Sequence, residues 1–131
     1  MKINKLINTG LMYLGKPYVF NAPPFQTASF DCSSFIQFIF KENGIDLPRN
    51  SREQFKAGKR VPFLQIKRGD LLFFTTKKRR KRNGIEKIGH VTLYLGNGQM
   101  LHTSREEKKV AITPLNEYWL RRFVGARRVI K

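Results

Sequence analysis

The stretch Phe30-Asp31-Cys32-Ser33-Ser34-Phe35-Ile36-Gln37-Phe38-Ile39-Phe40 holds the only cysteine among 131 residues, at the point where an irregular segment gives way to a helix. Pro23, Pro24, Thr27, Ser29 and Asp31 punctuate the chain before it, and no breaker follows Cys32 until Gly44. This spacing predicts a helix over 32–43 with Cys32 in its first turn and Asp31 or Ser33 as its cap. Unpaired N–H groups and the positive end of the helix dipole favour a thiolate over a thiol there. In most chains a lone cysteine is a small buried apolar residue. At the start of a helix, between an aspartate and two serines, it stands where a nucleophile is placed.

The helix it opens is apolar on most faces, which predicts burial nearly all round. Gly44 and Pro48 end it. Ser51-Arg52-Glu53-Gln54-Phe55 suits a short helix capped by Asn50 or Ser51, and Ser51 and Gln54 have capping-box spacing. Upstream, apolar residues at 3, 6, 7, 11 and 14 predict an amphipathic first helix over 2–14, ended by Gly15 and Pro17. Tyr18-Val19-Phe20 reads as a short extended piece and 21–31 as a loop. From Val61 the periodicity changes: 70–75, 90–95, 100–103, 110–113 and 123–130 read as strands, with a helical turn over 115–121. Helices first and antiparallel strands after is an α+β order, N-terminal helices packed on a C-terminal antiparallel sheet. The length predicts one domain over 1–131.

The net charge of +17, from 26 basic against 9 acidic residues, predicts an anionic partner or substrate. Six consecutive cations, Lys77, Lys78, Arg79, Arg80, Lys81 and Arg82, lie between two predicted strands, although most of the basic residues lie elsewhere. The run reads either as a solvated hairpin tip or as a salt-sensitive tether to a polyanion. One cysteine excludes an intramolecular disulfide and leaves the redox compartment open. No apolar run approaches the roughly 18 residues of a membrane span. The first eight residues lack the apolar core of a signal peptide.

His90 and His102 are the only histidines. A cysteine nucleophile needs a base for its proton and a third group to hold that base in the right tautomer. The inventory permits Cys32 as nucleophile, His90 as base and His102 as orienter, and requires no cofactor or metal. Geometry sets a condition. A two-residue Asn97-Gly98 turn places His102 opposite Leu93, on the face away from His90. A three-residue loop over 96–98 places it opposite Thr92, diagonally beside His90.

These residues lie within an ordered series: Tyr13-Leu14-Gly15-Lys16-Pro17-Tyr18-Val19-Phe20, Phe30-Asp31-Cys32-Ser33-Ser34, Gly44-Ile45-Asp46-Leu47-Pro48-Arg49-Asn50-Ser51, Lys67-Arg68-Gly69-Asp70-Leu71-Leu72-Phe73-Phe74, Gly89-His90-Val91-Thr92-Leu93-Tyr94-Leu95-Gly96-Asn97-Gly98, Met100-Leu101-His102 and Phe123-Val124-Gly125-Ala126-Arg127-Arg128. The series resembles the NlpC/p-sixty family of papain-like cysteine peptidases that cut bacterial cell-wall peptides. The resemblance implies a papain-like fold, with Cys32 as nucleophile, His90 as general base and His102 as the polar residue that orients it. It further implies that Tyr18, Asp31 and Ser33 line the substrate site, Asp31 receiving a free amino terminus in some members. The implied substrate is the γ-D-glutamyl bond to a diamino acid in peptidoglycan stem peptides, cut through a thioester. The implied location is the bacterial cell wall or the medium, with the cytoplasm open because no signal peptide is visible.

This chain departs from the family pattern at Asn21-Ala22-Pro23-Pro24, where glycines are usual, and at Ser34 and Thr92, each in place of a glycine. With no wall-binding repeat, the basic run 77–82 is expected to hold anionic wall polymers. Three other readings stand beside this one. A zinc site could use Cys32, His90 and His102. A non-enzymatic module could bind a polyanion through the run 77–82, though no nucleic-acid motif accompanies it. A thiol amidase or acyltransferase could act on another γ-glutamyl or acyl substrate.

Overall fold

The computed structural model describes residues 2–130. Four helices, α1 (Lys2–Leu11), α2 (Cys32–Lys41), α3 (Ser51–Gln54) and α4 (Glu117–Leu120), accompany six strands. These are β1 (Lys59–Arg60), β2 (Leu71–Thr75), β3 (Ile88–Gly96), β4 (Gln99–Ser104), β5 (Lys109–Pro114) and β6 (Phe123–Arg128). They form one antiparallel sheet in the order β1-β6-β2-β3-β4-β5. The architecture is the α+β, papain-like arrangement expected from the sequence.

Alternation along β2 gives the sheet two apolar faces. Leu71 and Phe73 join Phe35, Ile36 and Ile39 of α2, with Val91, Leu93 and Leu101, in the main core. Leu72 and Phe74 enter a smaller cluster with Val61, Met100, Ala126 and Trp119 of α4. Every residue of α2 except Lys41 is buried. α1 packs close beside it: a side chain at Gly10 would come within 2.6 Å of Leu101 and 3.5 Å of Ile39 and Phe35. At the far end of β2, Arg128 clamps Asp70 through two 2.9 Å bonds, joining β6 to the turn before β2.

Two helices are shorter than their periodicity predicts. α1 stops at Leu11, and the chain turns so that the Gly15 N–H can bond Val110 on β5 at 2.9 Å. α2 stops at Lys41, with Gly44 at φ 81° completing the exit. The cap of α2 is Asp31: its carboxylate accepts from the Ser34 N–H at 2.8 Å, and Ser34 Oγ accepts from the Asp31 N–H at 2.9 Å. This reciprocal box uses the hydroxyl that Ser34 carries in place of a glycine. Asn50 caps α3, accepting from the Glu53 N–H.

The β3–β4 hairpin combines both forms considered for it. Gly96 pairs with Gln99, so the turn is the two-residue Asn97-Gly98, both at positive φ (52° and 73°). A bulge between Tyr94 and Gly96, with Gly96 at φ 87°, then shifts the register, and Tyr94 pairs with Met100 and Leu93 with Leu101. Carried one residue further, this register sets His102 across from Thr92 and diagonal to His90. A tight turn and two histidines on one face are thus compatible, because the bulge absorbs the odd residue.

Candidate active site

His90 and His102 are joined directly. His90 Nε2 lies 2.8 Å from His102 Nδ1, and His102 Nε2 lies 2.8 Å from the Thr113 hydroxyl on β5. Neutral imidazole carries one N–H, so the chain has a direction. If His102 gives its Nε2–H to Thr113, its Nδ1 accepts the Nε2–H of His90. His90 Nδ1 is then left as a free base. Trp119 closes the back of the pair, stacked on His90 with ring centroids 5.3 Å apart at 27° and edge-on to His102 at 5.5 Å. Both rings are fully or almost fully buried. Neither Thr113 nor Trp119 carries a sequence signal for the site; they arrive through β5 and α4.

Cys32 joins the same strand one residue along. The backbone N–H groups of Val91, on that strand, and of Ser33 favour the thiolate form of its sulfur. It lines a cleft of about 180 Å³ with Tyr18, Asp31, Ser33, Arg49, Arg52, Arg79, Gly89 and Arg105. Tyr18 is tethered on both sides, its N–H bonded to Lys108 and its strand bridged to Phe30, and the Arg105 guanidinium lies 6.0 Å from its ring centre. Burial holds the Tyr18 hydroxyl above its usual range, so it remains a donor.

The charges differ from the thiolate expected at a helix start. Burial pushes the Cys32 thiol up, and the Asp31 charge adds to this; the two N–H donors and Arg105 act the other way. Burial, then His102 and Arg105, holds His90 well below 6.5. Burial brings His102 down to about 4. At neutral pH the site holds a neutral thiol and two neutral imidazoles.

Asp31 and Ser33 are bound into a knot with Arg49. Arg49 Nη2 meets Asp31 Oδ2 at 2.7 Å, Nη1 meets Ser33 Oγ at 3.0 Å, and a further 2.6 Å bond reaches the Ala22 carbonyl. A substrate amine at Asp31 has to share that carboxylate with Arg49 and the Ser34 N–H. The knot also fastens the divergent 21–24 segment to the start of α2. Among the described residues, no three His, Cys, Asp or Glu side chains are grouped as metal ligands.

The buried neutral histidines predict acid sensitivity. The unfolded chain protonates both as pH falls through about 6.5, whereas the folded chain does not until far lower, near 4 for His102. Their contribution is therefore intact above pH 6.5. It is lost as pH falls below 6.5, at about 1.4 kcal/mol per pH unit for each histidine. Urea unfolding at pH 7 and pH 5 is expected to show a smaller loss in His102→Gln than in the wild type; an equal loss would mean that His102 is already charged in the fold.

The NlpC/P60 family model matches residues 15–128. A Bacillus cereus relative named gamma-D-glutamyl-L-lysine dipeptidyl-peptidase is 39% identical over 126 residues, covering 95% of this chain and 36% of that protein. A Bacillus subtilis gamma-DL-glutamyl hydrolase is 37% identical over 118 residues, covering 88% and 27%. The chain thus spans little more than a third, or less, of these curated relatives. The structure of the peptidoglycan hydrolase RipB from Mycobacterium tuberculosis superposes with a TM-score of 0.83 at 32% identity, covering 99% of this chain and 65% of that one. The chain belongs to the NlpC/P60 family.

Proposed function

We propose that this member of the NlpC/P60 family is a cysteine endopeptidase that hydrolyses the γ-D-glutamyl–diamino acid amide of peptidoglycan stem peptides. The observation that carries the reading is the hydrogen-bonded chain that joins Thr113, His102 and His90, with Val91, the residue after His90, placing its N–H next to the Cys32 sulfur. The relatives named for γ-glutamyl and peptidoglycan hydrolysis support the choice of bond.

With the thiol and imidazole both neutral, His90 Nδ1 takes the thiol proton as the sulfur attacks the amide carbonyl. The Cys32 N–H, which no turn of α2 can use, and the Tyr18 hydroxyl are the donors for the oxyanion. Collapse of the adduct passes the proton from His90 to the departing amine and leaves a thioester. A water then gives a proton to His90 and adds to the thioester carbonyl. The products are a free carboxyl group and the restored thiol. The His90 imidazolium is disfavoured by burial, which speeds its return of the proton.

A second reading within the same chemistry is hydrolysis of γ-glutamate oligomers, favoured by the name of the Bacillus subtilis relative and by the net charge of +17. Either substrate suits the anionic partner expected from composition. Anionic wall polymers are a further proposed partner, through the exposed Lys77, Lys78, Arg80, Lys81 and Arg82. The proposed action on peptidoglycan implies a place at the wall for this protein. No helix of the described residues is long and apolar enough to cross a membrane.

Defined muropeptides, read by mass spectrometry, are expected to be cut at the γ-D-glutamyl–diamino acid bond. Cys32→Ala is expected to lose on the order of 10⁴-fold or more. A folded wild type that leaves this bond intact would refute the reading. Thr113→Val, which removes the acceptor for His102, is expected to lower kcat about tenfold with little change in KM, and Thr113→Ser to restore it. No rescue by serine would reduce Thr113 to a packing residue. Rising salt is expected to release the protein from purified walls; salt-independent sedimentation would remove the wall-polymer partner.

A further inference from the structure

The basic run after β2 does not present a single face. Two successive turns fold it, the Arg79 N–H bonding the Thr76 carbonyl at 3.0 Å and the Arg82 N–H the Arg79 carbonyl at 2.9 Å. Lys78 and Arg79 line the cleft that contains Cys32, where Arg79 pairs with Glu86 at 3.6 Å. Lys77 and Arg80 line a separate hollow of about 500 Å³. The rest of its lining is Thr75, Thr76, Arg121 and Arg122, the last two from the turn between α4 and β6. The Thr75 N–H ties the two segments together, donating to the Arg122 carbonyl at 2.8 Å.

No acid stands among the residues that line this hollow. Among the described residues, Lys77 and Arg80 belong to none of the ion pairs, and both are exposed. Arg122 is fixed without being neutralised: its Nη1 donates to the Tyr118 carbonyl at 2.7 Å, and its guanidinium lies 3.7 Å from the centre of the Tyr118 ring. Arg121 pairs with Glu117 at 2.5 Å, but both side chains are largely in solvent, where such a pair is weak. Thr75 adds a buried hydroxyl with no hydrogen-bond partner among the described residues, an unusual state for a buried polar group.

The hollow does not stand alone. A smaller one, of about 250 Å³, shares Thr75, Thr76, Lys77 and Arg122 with it and is also lined by His90. Its one acid, Glu106, accepts from the Tyr118 hydroxyl at 3.3 Å. Thr76 and Arg105 line both this smaller hollow and the Cys32 cleft, so the three form one furrow.

We propose that Lys77, Arg80, Arg121 and Arg122 form a groove that binds the phosphodiester groups of a polyol-phosphate wall polymer. The proposal rests on the wall-polymer partner put forward above and gives it a site. Phosphate oxygens point in several directions, whereas a carboxylate offers two in one plane. Cations and hydroxyls drawn from two segments therefore suit phosphate better. No aromatic ring lines the hollow, so a single-stranded nucleic acid would find charge there but no surface on which to stack its bases. A polyol chain needs none. The furrow holds such a polymer in line with the peptide cleft.

The test is calorimetry with synthetic poly(glycerol phosphate) of defined length, at several salt concentrations. It compares wild type with Lys77→Gln/Arg80→Gln, Lys81→Gln/Arg82→Gln and Arg121→Gln. Both double variants remove two charges from exposed positions of the same run, and only the first pair lines the hollow. Lys77→Gln/Arg80→Gln is expected to weaken binding about tenfold or more and to lower the slope of log K against log salt by about one per lost contact. Lys81→Gln/Arg82→Gln is expected to cost about twofold, through screened attraction alone. Arg121→Gln is expected to weaken binding severalfold, although it lies outside the run. Equal losses in the two double variants, or none in Arg121→Gln, would reduce the groove to diffuse charge and overturn it. Polyglutamate of the same charge number is expected to bind more weakly; equal affinity would overturn the assignment to phosphate. Tighter binding of single-stranded DNA of that charge number would overturn the polyol source. These comparisons use the isolated polymer, so their failure is separate from that of the wall-sedimentation test, which concerns the partner as a whole.

Discussion

The register of β3 is the constraint on which the site depends. A one-residue slip in an antiparallel pair sends every side chain to the opposite face. The bulge beside Gly96 holds His102 on the side of His90, close enough for a 2.8 Å bond. From the same strand come the Val91 N–H that favours the thiolate of Cys32 and the Ile88 and Gly89 carbonyls that hold Arg52 and Arg105. Cys32, His90, His102 and the cleft arginines are thus referred to one stretch of backbone, and small errors in placing it move them together.

Burial sets the chemistry of that stretch. The helix start supplies N–H groups to Cys32, but the thiol lies among apolar neighbours and beside Asp31, so desolvation outweighs the donors and the proton stays on sulfur. The same desolvation keeps both imidazoles neutral, and Trp119 maintains it by covering them. In the proposed reaction a neutral pair makes proton transfer part of the attack itself, which gives the tautomers of the Thr113–His102–His90 chain their importance. The wrong tautomer would present His90 with an N–H where a lone pair is needed.

The cations divide by location. Arg49 is structural as well as cleft-lining, since it neutralises Asp31 and ties the loop before α2 to the helix start. Arg52 and Arg105 are anchored on neutral carbonyls, which position a guanidinium without cancelling its charge, and Arg79 bonds the Glu86 carbonyl and pairs with the exposed Glu86 carboxylate at 3.6 Å. The rest of the basic run is exposed, and salt screens its attraction. A single overall charge therefore hides three physical roles.

Much of this was legible in the sequence, because local signals and tertiary packing agree. The breaker-free apolar run after Asp31 announces α2 and puts Cys32 at its first turn. Alternation announces the strands, and Gly96-Asn97-Gly98 announces the hairpin. The ordered motifs place the chain in its family and single out His90 and His102. The limits of α1 and α2 were less legible, since the periodicity of Leu14 continues after the Gly15 N–H has left for β5. Thr113 and Trp119 reach the histidines from distant elements, and no spacing links them to His90. The partners of Arg52 and Arg105 in the cleft are backbone carbonyls, which every residue possesses and no side-chain pattern marks. The sequence by itself determined the family and the elements on which Cys32, His90 and His102 sit. Only the tertiary structure decided the register, the protonation and the convergence of charge, because these depend on how strands slip, what water is excluded and which distant groups share one cleft.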